Sequence, residues 1–90
     1  MKIELFKVPN DIHGKALKIF LEKNKIKFHE ISADDINVLQ NVVGRDLTEK
    51  ISVIKVTYSH GTNVMQGFNE HYLNQQIVEH IKKYNIKHLK

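Results

Sequence analysis

The stretch Pro9-Asn10-Asp11-Ile12-His13-Gly14 constrains this chain more than any other. It lies between a short apolar run, Ile3-Glu4-Leu5-Phe6, and an amphipathic segment that begins near Ile12. Ile3 and Leu5 alternate with Glu4, the period of a strand, so residues 2–7 are expected to be β. Pro9 ends the strand because it has no backbone donor. Asn10 or Asp11 can then cap a helix over Ile12–Lys23. Strand, turn and helix start together form a β-α unit. The turn puts Asp11–Gly14 at the C-terminal edge of a sheet, where open α/β sheets place their ligand sites. The free N–H groups of the helix start lie there too, at corners that often hold thiolates or phosphates. In this chain the corner holds an acid, an apolar residue, a histidine and a glycine.

The remaining elements follow from periodicity. In the first helix Ile12, Ala16, Ile19 and Phe20, with Leu17 and Leu21 beside them, make one wide buried stripe, while Lys15, Lys18, Glu22 and Lys23 face water. Ile26–Ile31 is expected as a second strand, parallel to the first through a right-handed crossover. Ser32 or Asp34 caps a helix over 34–43, whose buried side is Ile36, Leu39, Val42 and Val43, and Gly44 stops it. Ile51–Tyr58, rich in β-branched residues, is the strongest strand signal. His60–Asn63 supplies a turn, and Val64–Gln66 returns as a hairpin partner. Asn69 caps a last helix over 70–84, with Tyr72, Leu73, Ile77, Ile81 and Tyr84 as its apolar stripe and residues 85–90 as a frayed tail. The order β-α-β-α-β-β-α predicts a single α/β domain over 1–90 with a mixed four-stranded sheet flanked by helices.

Composition removes several classes of function. The chain has no cysteine, which excludes disulfides, thiolate metal sites and thiol catalysis. No apolar run reaches the roughly 18–20 residues of a membrane helix. Glu4 and Lys7 interrupt any signal-peptide core, so a cytoplasmic protein is expected. The formal charge is +4, but the lysines are scattered, with one arginine and no tryptophan. That is a poor kit for base readout or stacking, and a solvated lysine surface is preferred to a nucleic-acid patch.

The element order and the turn resemble the thioredoxin fold in its minimal glutaredoxin form. Strand, Pro9-Asn10, a four-residue site, Ala16 and the run to Ile26 and Phe28 are similar, without a gap, to the start of small glutaredoxin-like redoxins. Ser52-Val53-Ile54-Lys55-Val56 resembles the family's third-strand entry. Met65-Gln66-Gly67-Phe68-Asn69 resembles its glycine-containing loop before the last helix. The resemblance implies a groove between Asp11, Ile12, His13 and Gly14, the Val53-Ile54 segment, and Gly67-Phe68. The family's Cys-x-x-Cys positions are Asp11 and Gly14 here. Its cis-proline is Ile54, so the Val53–Ile54 peptide is expected to be trans.

The chemistry available at such a site is narrow. Asp11 and His13 form a weak candidate acid–base pair, against the plainer roles of helix cap and exposed neighbour. The six histidines, His13, His29, His60, His71, His80 and His88, include no i, i+4 pair, so no metal centre is expected. No cofactor is expected either. Gly14 either admits another chain's backbone or marks a relaxed former cysteine position, and a larger residue there is expected to disturb binding rather than folding. Phe68 is either an exposed anchor or a core aromatic. The favoured function is a non-catalytic, glutaredoxin-like protein-binding module, of a kind suited to a phage or mobile element acting on a host protein. The alternatives are a vestigial enzyme of the glutathione-binding type and a weak lysine-driven nucleic-acid binder.

Overall fold

The computed structural model describes residues 1–82. The expected end of the last helix at residues 83–84 and the tail 85–90 lie outside the described residues. The elements run β1 (Lys2–Lys7), α1 (Ile12–Lys23), β2 (His29–Ser32), α2 (Ile36–Val43), β3 (Val53–Tyr58), β4 (Gly61–Gln66) and α3, which begins at Glu70–Leu73. The sheet order is β2-β1-β3-β4. β1 pairs parallel with β2 and antiparallel with β3, and β3 pairs antiparallel with β4. The fold is therefore α/β, with a mixed four-stranded sheet and helices on both faces. None of these helices is long and apolar enough to cross a membrane.

Strand alternation sends neighbouring residues to opposite faces of the sheet. Ile3, Leu5, Ile54 and Val56 meet Leu17, Phe20 and Leu21 of α1 and Leu73 and Ile77 of the last helix. Phe6, Val8 and Val53 meet Leu39 of α2 and Ala33 on the other side.

Only part of the expected α1 stripe is buried. Leu17, Phe20 and Leu21 face the sheet, but Ile12 is 75% exposed and Ile19 63% exposed. The two isoleucines stand seven residues apart, on the outer face of the helix.

Several boundaries differ from expectation, each for a local reason. β2 starts at His29 rather than Ile26 because Ile26 belongs to the end of α1. Its N–H bonds to the Leu21 carbonyl at 2.9 Å and that of Lys25 to the Glu22 carbonyl at 3.0 Å. This is a Schellman motif, with Lys25 at φ 55° in the left-handed position usually held by glycine. α2 begins at Ile36, capped by Asp35, whose carboxylate accepts the Asn37 N–H, and not by Ser32 or Asp34. Gly44 ends it at φ 84°. The hairpin turn is only Ser59-His60, and Gly61–Asn63 pair with β3. The last helix is capped by Asn69 and changes pitch, with a π-helical segment over Asn74–Val78 before helix resumes.

Candidate functional site

The turn after β1 is built on two backbone devices. Asn10 adopts φ 63°, a left-handed conformation that asparagine tolerates better than most residues. Asp11 returns to an extended conformation as the N-cap of α1. Its carboxylate accepts the N–H groups of His13 at 3.3 Å and Gly14 at 3.2 Å, satisfying two of the helix's unpaired donors. It also accepts the N–H of Ser52, just before β3, at 2.8 Å. Burial alone would raise the Asp11 carboxyl, but the bonds from Ser52, His13 and Gly14 outweigh it and hold its pKa below the ordinary value.

Ser52 joins the other pieces. Its hydroxyl accepts the Val8 N–H at 2.8 Å. Its carbonyl accepts the Gly67 N–H at 2.8 Å. With its own N–H given to Asp11, Ser52 makes only one of the two bonds of a ladder pair with Gly67, and β3 begins at Val53 and not at Ile51. Sequence reasoning had not singled out Ser52 as a site residue. The only available signal was a small polar residue at the entry to an apolar strand.

The Gly67-Phe68 loop closes the arrangement. Gly67 has φ 86°. The Phe68 N–H donates to Nδ1 of His13 at 3.2 Å, so neutral His13 carries its hydrogen on Nε2. Phe68 is half-buried, and its ring meets Phe20 edge-on with centroids 6.1 Å apart. It is therefore mainly a packing residue, not a free anchor.

The eight expected site residues thus divide. Asp11, His13, Gly14, Gly67 and Phe68 are brought together, and Ile12 projects outward beside them. Val53 and Ile54 do not line a groove: they are 0% and 1% exposed and point into opposite halves of the core. Position 54 follows the strand alternation into the core between the sheet and α1. The Val53–Ile54 bond is trans, as are all peptide bonds among the described residues.

Gly14 also needs correction. A Cβ there would stand 2.5 Å from Ser52 Oγ and 3.0 Å from Lys7 Cγ. The close approach that glycine permits is made by this chain's own Ser52, so a larger residue would strain the fold itself.

Chemically, the arrangement is a bracket. The Asp11 carboxylate spends its acceptors on three backbone donors, and His13 spends Nδ1 on a fourth. Asp11 and His13 are not paired side chain to side chain as an acid–base couple would be; the carboxylate bonds the histidine's backbone. Among the described residues, no three histidine or acidic side chains gather as a metal site. Compared with known proteins, the chain matches no family model, no curated protein and no solved structure.

Proposed function

We propose that this chain is a non-catalytic binding module of glutaredoxin-like fold that engages a protein partner through the outer surface of the Pro9–His13 turn. One observation carries the reading. The Asp11 carboxylate and Nδ1 of His13 are committed to the scaffold, whereas Ile12 is 75% exposed. A reactive site keeps its functional groups free for substrate, and a docking site holds its backbone rigid and offers apolar surface. Pro9 and Asn10 are exposed beside Ile12, and Ile19 continues the apolar surface along α1. Exposed Lys15 and Lys23 flank it, which favours a partner whose apolar contact is rimmed by acids. Val53 and Ile54, being buried, take no part.

The test is photo-crosslinking from position 12, with position 60, exposed in the β3–β4 turn at the opposite end of the sheet, as control. The expected result is a discrete adduct from position 12 that disappears in Ile19→Asp, with no turnover of a glutathione mixed disulfide above background. The same adducts from both positions, or reductase or transferase turnover by the purified protein, would overturn the reading. Binding that collapses with salt in proportion to phosphate contacts would instead favour the lysine-driven nucleic-acid alternative.

A further inference from the structure

The two edges of the sheet are treated differently. β2, at one edge, is four residues long, and its Glu30 is held by Lys18 at 3.0 Å. Short strands and charged side chains are the usual protection of an exposed edge. β4, at the other edge, has none of these. Its six residues, Gly-Thr-Asn-Val-Met-Gln, contain no charge and no proline, and they pair one to one with β3 without a bulge.

The register shows which backbone groups are left over. The Gly67 N–H bonds to the Ser52 carbonyl, so the hydrogen-bonded pairs continue at 65 with 54, 63 with 56 and 61 with 58. The N–H and C=O groups of Thr62, Val64 and Gln66 therefore point away from β3. Among the described residues, no backbone–backbone bond outside the β3 pairing uses them.

We propose that this edge is a self-association surface, on which β4 of a second copy pairs antiparallel about a two-fold axis through Val64. The sequence of β4 is self-complementary in that register. Thr62 stands opposite Gln66 of the other copy, Val64 opposite Val64, and on the other face Asn63 opposite Met65. The three outward-facing residues of each copy then exchange about six backbone hydrogen bonds, joining two sheets into one. The formal charge of +4 on each chain disfavours self-contact on most surfaces, and this uncharged edge brings no like charges face to face. That property selects a second copy as occupant over a charged extended peptide.

The test is sedimentation equilibrium of the whole chain from micromolar to millimolar concentration, together with amide exchange. The expected result is a dimer that grows with concentration, while the Thr62, Val64 and Gln66 amides become protected in step. Val64→Lys puts two cations directly opposite each other and should weaken association by about tenfold or more. Val64 also packs against the α2-side core, so Thr62→Pro serves as a second variant. It deletes an N–H that β3 does not use, and should abolish the dimer while leaving the melting temperature within a few degrees. Three results would each overturn the proposal: a monomer throughout with unprotected amides, a dimer unchanged in both variants, or protection independent of concentration. The last would assign the edge to a segment of the same chain.

Discussion

The carboxylate of Asp11 accepts the backbone N–H of Ser52 at 2.8 Å across 41 residues of sequence. A helix cap is thereby also a tertiary tie. The same side chain that starts α1 sets where β3 may begin, and Ser52 in turn holds Val8 and Gly67. Strand end, helix start, strand entry and the last loop meet at one pair of residues. The turn is rigid for that reason, and the rigidity has measurable consequences.

Replacing Asp11 with alanine strands the N–H of buried Ser52 and uncaps α1. The expected cost is about 1.5–3 kcal/mol at neutral pH. Asp11→Asn, which keeps one acceptor oxygen, should cost less. The folded carboxyl titrates below its unfolded value. Its contribution is therefore complete above the unfolded pKa and is lost as pH falls through the folded pKa. Urea midpoints between about pH 5 and about pH 2 should decline less steeply in Asp11→Ala than in the parent. Parallel declines would show that the carboxylate is not held as described.

Gly14→Ala should destabilise by about 1–3 kcal/mol through overpacking against Ser52 Oγ, although alanine is the better helix former by about 1 kcal/mol. Ser52→Ala alone should cost about 1–3 kcal/mol, because the Val8 N–H loses its acceptor. The double variant removes the clash along with the hydroxyl, so its cost should be smaller than the sum. Strict additivity in denaturant titrations would refute the close approach.

Lys25 occupies a left-handed position at φ 55°, where a side chain is strained. Lys25→Gly should raise stability by about 1 kcal/mol without changing the far-ultraviolet spectrum. A loss of stability would mean that the lysine makes contacts outweighing its backbone strain.

The Tyr58 hydroxyl donates to the backbone carbonyl of Gln76, inside the π-helical segment, at 2.6 Å. The bond falls inside the widened turn, where the Glu79 N–H bonds back to the Asn74 carbonyl. Tyr58→Phe should cost about 1 kcal/mol and move the chemical shifts of residues 74–78 toward those of a regular helix. Burial raises the Tyr58 phenol above its ordinary pKa. Its contribution is present below the unfolded pKa and lost as pH rises through the folded one. Tyr58→Phe should therefore flatten the stability loss above about pH 10. An unchanged alkaline limb would count against the buried phenol.

Local chemistry in the chain was enough to place the element order, the cap at Asn69 and the stop at Gly44, and to narrow the cap of α1 to Asn10 or Asp11, because each depends on neighbours within a few residues. It was not enough to choose which side of α1 meets the sheet. Ile12 and Ile19 have the same periodicity as Leu17, Phe20 and Leu21, and a helix with apolar residues around much of its circumference has more than one possible buried face. Tertiary packing decided it: Gly14, lacking a Cβ, is the point where α1 can press against Ser52, and that contact turns Leu17 and Leu21 inward and leaves the isoleucines outside. The same contact explains Ser52 itself. A serine before an apolar strand has no local signature, since its three partners, Val8, Asp11 and Gly67, become neighbours only after the sheet has formed. The resemblance to redoxins puts Val53 and Ile54 in a groove, whereas strand alternation buries both, one on each side of the sheet.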